Sequence, residues 1–313
     1  MAIDASGHSA TELYREVAWK IKEGATYQDS RNGPVQTMER PFTAALWNPQ
    51  NRVLLARRRK PNHAFHLMEA IWMLAGHREV TWLTQFNTGI ARYTENNIMH
   101  GAYGDRWREW FGFDQLWEIR DRLLTNPDDR QAVLTMWQPN ADLTRNEYKD
   151  RPCNTHIYFR IIHGRLDMHV LNRSNDFLWG MMGSNIVHFT MLHEVMAALV
   201  QQDLGHYYVT SNNLHIYEEY PDREEVIQEA LFIHDISVPC IPIIRELETG
   251  EDFLADCQEF VHGRDRGFSC AWFSEVAYPI QSWYLNRDQR PEIIHNVHDE
   301  AWATGLRMFN GEL

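Results

Sequence analysis

The sequence predicts an α+β fold in which antiparallel strands build a mixed sheet and helices cover it. Three observations lead there. Alternating strand patterns come in groups, as in "THIYFRIIHGRLDMHVLN", and do not follow each helix singly. The helical segments "NHAFHLMEAIWMLAGH" and "SNIVHFTMLHEVMAALVQQDLG" are apolar on most faces, which suits a core position. Neither a GxGxxG fingerprint nor a P-loop occurs, so the motifs of the parallel nucleotide-binding folds are absent.

The elements follow in order. "TELYREVAWKIKEG" has apolar residues at helical spacing and stops at Gly24. "FTAALWNPQNRVLLAR" predicts two strands around an Asn-Pro turn. "NHAFHLMEAIWMLAGH" predicts a helix ending at Gly76. "FDQLWEIRDRLLTNPDD" is amphipathic and closed by Asn-Pro, and "QAVLTMWQP" reads as a strand. "THIYFRIIHGRLDMHVLN" predicts a hairpin turning at His163-Gly164. After the long apolar helix, "HYYVTSNNLHIYEEY" reads as a strand and then a short helix. "DREEVIQEALFI" predicts a helix, "HDISVPCIPII" a strand, and "EDFLADCQEFVHGRDRG" and "PEIIHNVHDEAWATGLRM" further helices.

Composition narrows the function. The chain has 313 residues with 44% hydrophobic residues, enough for a sizeable core. Its formal net charge of −13 disfavours wrapping nucleic acid, whose phosphates reward clustered Lys and Arg. The one dense basic run is "ARRRK", Arg57 to Lys60, which reads as a solvated strand end or loop. No apolar run is long enough for a membrane span, and the N-terminus lacks a basic-then-apolar signal, so a cytoplasmic protein is expected. The four cysteines show no CxxC spacing, which fits a reducing compartment and no zinc ribbon.

Candidate chemistry starts at "DRPCNTHIYFR". Cys153 lies behind a proline at the mouth of a strand, and a thiol becomes a nucleophile where positive charge lowers its pKa. Arg151 and Arg173 are the cations at hand. A cysteine–histidine pair would need one of His156, His163, His188 or His215, and nothing in the spacing selects among them. "HAFH" (His63, His66) and "HFTMLHE" (His188, His193, Glu194) lack zincin spacing, so no metal is expected. Glu69 sits on or beside the apolar stripe of its helix, either paired with an arginine or acting as a general acid/base. Arg31, Arg130, Arg173 and Ser174 each lie beside turn residues, and together they could clamp a phosphate.

The segments "SRNG", "FHLMEAIWMLAG", "HGAYGDRWREW", "NPDDRQAVLTMW", "RPCNTHIYFR", "NRSNDFLWG", "SNIVHFTMLHEVMA" and "NNLHIY" occur in the order, and near the spacing, of a known family. The chain resembles thymidylate synthase and the related pyrimidine nucleotide hydroxymethylases. The match runs from about residue 31 to residue 217 within a single catalytic domain spanning residues 1–313, and residues 218–313 diverge. The resemblance implies a thymidylate synthase-like fold, a homodimer, a nucleoside monophosphate substrate, 5,10-methylenetetrahydrofolate as co-substrate and no metal. It implies that Cys153 adds to C6 of the pyrimidine, and that Arg31, Arg173 and Ser174 hold the phosphate. Arg130 would be lent by the partner subunit. Glu69 would work through ordered water, Asn185 would read the base edge, and His215 and Tyr217 would hold the sugar hydroxyl. Asp176 would meet the folate pterin, with Gly180, Glu69 and Ala91 also lining the folate side, and Tyr103 would be an active-site tyrosine.

The departures are informative. Ala91 stands where the synthases carry a tryptophan, which leaves room for water near a reactive methylene. "RMFNGEL" does not match the synthase tail, and "GMMGSN" carries one residue more than the synthase loop. Asn154, Gln131 and Asn172 replace the family's histidine, arginine and glutamine. Water in place of hydride would give a hydroxymethyl product. An amide at Asn185 suits uracil, and relatives acting on cytosine tend to carry aspartate there. A deoxyuridylate hydroxymethylase, as some bacteriophages use to modify DNA, is therefore expected. A cytidylate or deoxycytidylate hydroxymethylase, a diverged synthase and a binding-only relative are the alternatives.

Overall fold

The structure is a computed structural model and describes residues 2–144, 148–234 and 238–313. The chain opens with β1 (Ala5–Gly7) and α1 (Ala10–Gly24), then runs through β2 (Ala25–Gln28), β3 (Val35–Met38) and β4 (Phe42–Leu46). Three helices follow: α2 (His63–Leu74), α3 (Tyr103–Arg108) and α4 (Gln115–Thr125). Next come β5 (Val133–Thr135), α5 (Pro139–Asp142), β6 (Asn154–Ile162), β7 (Arg165–Asn172) and β8 (Asn175–Asp176). α6 (Asn185–Leu199), β9 (Asp203–Ser211) and β10 (Leu214–Tyr217) complete the sheets. The remaining helices are α7 (Arg223–Phe232), α8 (Gly250–Val261), α9 (Tyr278–Leu285), α10 (Arg290–Ile293) and α11 (Glu300–Asn310).

Two mixed sheets form among the described residues, a six-stranded one in the order β1-β4-β9-β7-β6-β5 and a four-stranded one in the order β2-β3-β10-β8. The hairpin β6–β7 is antiparallel, and its turn residues His163 and Gly164 take φ of 50° and 76°, as a tight hairpin requires. β7 runs parallel to β9. One face of the large sheet, with Ile157, Phe159, Leu166, Met168, Val170, Tyr207 and Val209, is buried. The opposite face carries Tyr158, Arg160, His169 and Tyr208 and is only partly covered. α6 packs on the inner face against β7 and β9, and α2 and α8 pack on α6. One hydrophobic cluster includes residues from Ala5 to Met308, so the late helices share the core of the early ones.

Buried ion pairs tie distant segments to this core. The Arg106 guanidinium is fully buried, makes two bonds to Asp142 at 2.8 and 3.0 Å, and also donates to the carbonyls of His100 and Met136. Arg52 donates to Glu194 on α6, whose other oxygen accepts from the Ile243 amide at 2.8 Å. Gly104 lets α3 approach the end of α2, since a Cβ there would lie 2.0 Å from the Met73 carbonyl oxygen.

Three sequence expectations need correction. Residues 53–56 are buried but form no strand; the Leu55 amide donates to the Thr11 hydroxyl where a strand would bond to a neighbouring strand. "NNLHIY" is a strand, not a helix: β10 pairs antiparallel with β3 and parallel with β8. Its alternation was too short to separate the two periods. The described part of "HDISVPCIPII" is not a strand either, since the Ile241 and Ile243 amides donate to Asp299 and Glu194 carboxylates; residues 235–237 lie outside the described residues.

Candidate active site

The β6–β7 hairpin builds the centre of the site. Asn154 pairs with Asn172, and one bond further on the Arg173 amide donates to the Cys153 carbonyl at 2.9 Å. The ladder therefore sets thiol and guanidinium side by side at the mouth of the hairpin. The register slips between Asn154 and His156, an irregularity of the kind that re-aims side chains next to active sites. Arg173 Nη2 lies 3.6 Å from Cys153 Sγ, and the same guanidinium is braced by the Pro152 and Arg151 carbonyls at 3.0 and 3.2 Å. The thiol is half-buried, whereas Cys240, Cys257 and Cys270 are buried.

Charge around the thiol is mixed. Burial pushes the Cys153 pKa up, Arg173 and Arg31 pull it down, and Asp150 pushes it up again. Proximity to Arg173 thus acts in the expected direction, but burial outweighs it in the ligand-free protein. Asp150 itself is lifted from 3.8 to about 6, chiefly by burial, and its carboxylate accepts from the Gly101 amide at 2.9 Å. The Tyr103 hydroxyl accepts from the Asn154 amide at 3.3 Å, and its ring stacks on Phe189 with centroids 5.7 Å apart. Burial, and then Cys153, push the Tyr103 pKa far up, so the phenol keeps its proton.

A second group of side chains grows from the end of β7. The Asn185 amide nitrogen donates to Asn175 Oδ1 at 3.2 Å, and Asn175 donates to Ser211 at 3.1 Å. Gly180 makes room for that amide pair, because a Cβ on it would lie 2.7 Å from Asn175 Oδ1 and 3.4 Å from Asn185 Nδ2. Asp176 on β8 is in register with His215 on β10, whose ring meets that of Tyr217 edge-on at 5.2 Å. Asp176 Oδ1 accepts from the Trp179 amide at 2.5 Å, while Oδ2 is buried with no hydrogen-bond partner among the described residues. Burial raises the Asp176 pKa, opposed by the Trp179 amide and His215. Ser174 is half-buried between the two groups.

Residues 177–184 coil as a wide π-type segment, broken at Gly183 with φ −108° and ψ −112°, before α6 begins at Asn185. "GMMGSN", expected to carry one residue more than the synthase loop, begins inside this π-type segment and ends at the first residue of α6.

Among the described residues Glu69 pairs with no arginine: its Oε2 lies 3.0 Å from His188 Nε2, which belongs to α6. The geometry is that of an ion-pair distance without an aligned hydrogen bond. His66 and His63 lie nearby on α2, and burial holds both imidazoles neutral, His63 with a pKa lowered to about 3. His193 meets the Leu166 carbonyl at 2.6 Å, and Glu194 is taken by Arg52. Among the described residues, no group of three metal-ligating side chains converges.

Not every expected residue joins the cluster. Arg31 is exposed on a turn, within electrostatic reach of Cys153. Ala91 lies on an exposed 3-10 turn, Thr88–Tyr93. Arg130 is exposed beside a hollow on the sheet edge lined by Pro127, Asp129, Tyr158 and Arg160. No hydrogen bond or ring contact among the described residues links Ala91 or Arg130 to Cys153. In the basic run, Arg57 and Arg58 are exposed as expected, but Arg59 is buried and donates to the Leu178 carbonyl at 2.6 Å. Asp150, Asn175 and His188 were not singled out for these positions from the sequence; the "DRPC" and "NRSND" clusters held the first two, and only the fold brings His188 to Glu69.

The sequence and the fold both have relatives among known proteins. A deoxyuridylate hydroxymethyltransferase of Pseudomonas phage M6 is 45% identical over 206 residues, or 65% of this chain and 58% of that protein. One of Bacillus phage SP01 is 33% identical over 257 residues, or 78% of this chain and 66% of that protein. The chain thus spans a little under two thirds of the length of these relatives. The crystal structure of thymidylate synthase from T4 phage shares the fold, with a TM-score of 0.62 at 20% identity over 80% of this chain and 91% of that one. The thymidylate synthase family model matches residues 12–254, which takes in the hairpin, the thiol, α6 and the strands β9 and β10. On that match, with the fold to support it, the chain belongs to the thymidylate synthase family.

Proposed function

We propose that this chain is a pyrimidine nucleotide 5-hydroxymethyltransferase acting on deoxyuridylate, with residues 1–313 as one catalytic unit. The observation that carries the reading is the Cys153–Arg173 pair, a half-buried thiol 3.6 Å from a guanidinium that other bonds hold in place. The names of the phage relatives support the same substrate and product.

In this reading Cys153 attacks C6 of uracil as the thiolate, and the ring's electrons move to an enolate over C5, C4 and O4. Arg173, Arg31 and Ser174 hold the phosphate, and the positive charge of the two arginines offsets the cost of ionising a buried thiol. Asn185, oriented by Asn175, meets the base edge and can donate to O4 as charge grows there. His215 and Tyr217 hold the sugar hydroxyl. Tyr103, kept protonated, offers a neutral hydroxyl beside the thiol.

A folate fits the residues beside this centre. Asp176 Oδ2 is a buried acceptor with no hydrogen-bond partner among the described residues, and a pterin N–H would satisfy it. Gly180 and Ala91 would line the approach. Bound 5,10-methylenetetrahydrofolate would supply the one-carbon unit, at the oxidation level of formaldehyde, to C5, and C5 would lose its proton to solvent as tetrahydrofolate departs, leaving an exocyclic C5=CH2 bond. Glu69 then directs a water molecule to the methylene carbon on C5, and expulsion of the Cys153 thiolate restores the C5–C6 double bond. The small side chain at Ala91 is compatible with entry of that water.

The partly covered outer face of the large sheet supports a homodimer in which Arg130 reaches the partner's phosphate site. The phage relatives support a cytoplasmic site of action in an infected host. No described helix is long and apolar enough to cross a membrane.

The decisive assay supplies 5,10-methylenetetrahydrofolate with deoxyuridylate, deoxycytidylate or cytidylate and reads product mass. Deoxyuridylate is expected to gain a hydroxymethyl group with release of tetrahydrofolate, and Cys153→Ser to abolish it. A methylated product with dihydrofolate, or full activity of Cys153→Ser, would overturn the reading.

A further inference from the structure

His188 is 4% exposed, yet neither of its ring nitrogens makes a hydrogen bond to the described residues. Leaving a buried imidazole unpaired is costly, so its place calls for a partner. Glu69 Oε2 lies 3.0 Å from its Nε2. The two residues sit on different elements, α6 and α2, which pack closely. His188 also lies three residues after Asn185, so both occupy the same side of the first turn of α6. From α2, His66 faces His188 as a neutral imidazole, and Arg59 and His63 lie behind His66.

We propose that His188 is a positioning residue for Glu69 in the hydration step, an inference that rests on the hydroxymethyltransferase reading above. The Nε2–H group of His188 donates to Oε2 of Glu69 and leaves Oε1 as the oxygen that faces water. The contact tightens into an aligned bond when the substrate is in place, as catalytic hydrogen bonds do. The water oxygen then bonds to the methylene carbon, the π electrons of that C=C bond move into the C5–C4–O4 enolate, and the water proton passes to Oε1 of Glu69. Collapse of the enolate re-forms the C5–C6 double bond and breaks the C6–S bond, with the electron pair returning to Cys153. No oxidant or reductant enters. His188 is not consumed and changes no bond.

Two activities separate this role from a structural one. Addition of Cys153 alone lets C5 of deoxyuridylate exchange its hydrogen for deuterium from solvent, without folate and without the hydration step. In the full-length protein, His188→Leu is expected to lower hydroxymethyl formation about 100-fold while leaving C5 exchange within about threefold of wild type. His188→Gln, which keeps an N–H donor, is expected to recover most of that loss. Parallel loss of both activities in both variants, or undiminished hydroxymethyl formation in His188→Leu, would overturn the assignment.

Nitrogen-15 ring shifts of His188 in the ligand-free protein provide the second measurement. The proton is expected on Nε2, with a change in shift on Glu69→Gln. A proton on Nδ1 that ignores the Glu69 substitution would sink the proposal whatever the substrate. Failure of the deoxyuridylate reading looks different: wild type itself would show no C5 exchange with that nucleotide, and the ring shifts would still decide the case of His188.

Discussion

Asp150→Asn offers a direct test of the electrostatics at the thiol. Asp150 is lifted from 3.8 to about 6 because burial disfavours its charge more than the Gly101 amide, Arg106 and Arg173 favour it. A carboxyl whose folded pKa lies above its unfolded one binds more protons in the native state. Stability therefore falls as pH rises from about 4 to about 6 and stays lower above that range. A displacement from 3.8 to about 6 corresponds to at most about 3 kcal/mol at neutral pH. Asparagine keeps an acceptor for the 2.9 Å bond from Gly101 and carries no charge. The variant should match wild type near pH 3.5 and become more stable above pH 6, by up to about 3 kcal/mol. Urea denaturation from pH 3.5 to 8 measures the difference. Because Asp150 also pushes the Cys153 pKa up, alkylation of Cys153 at neutral pH should speed up in the same variant. A stability difference that does not vary with pH, or a variant that weakens above pH 6, would refute this reasoning.

Three further outcomes are expected. Asp142→Asn leaves the fully buried Arg106 charge uncompensated and should cost about 3–5 kcal/mol by chemical denaturation, with little effect if the pair is dispensable. Gly104→Ala forces α3 away from the Met73 carbonyl and should lower stability by about 3 kcal/mol together with turnover, since Tyr103 moves with the helix; an unchanged melting temperature would show that the approach is looser. Arg130→Ala should raise the KM for nucleotide about tenfold or more with kcat little changed, as loss of a phosphate ligand does. Mixed dimers of Arg130→Ala and Cys153→Ser should regain activity, because one site then has both the thiol and the partner's arginine; no recovery would argue against a shared site.

What the sequence made legible follows from period and length. α1, α2, α6 and the β6–β7 hairpin announce themselves because each pattern runs long enough to fix one period. β10 is four residues long, too short for that, and its strand character comes from its neighbours β3 and β8. Residues 53–56 have strand composition, but their amides are engaged elsewhere. At the site, Cys153 and Arg173 stand twenty residues apart, and the hairpin alone brings them together. The Glu69–His188 approach depends on how two helices pack, which no local pattern encodes. The rise in Asp150 likewise reflects enclosure by Gly101 and its surroundings, not anything in "DRPC" itself.

α6 is anchored at one end and used at the other. Glu194 fixes its rotation through Arg52 and the Ile243 amide, while Asn185 and His188 project from its first turn. Adding or deleting one residue between positions 188 and 194 would spin that first turn by about 100° about the axis relative to its anchor. The same change within residues 177–184 can be taken up by the wide coil before the helix starts. On the proposed function, designers who wish to re-tune the choice of base have one stretch where chain length is adjustable, and immediately after it a spindle whose length must be left alone.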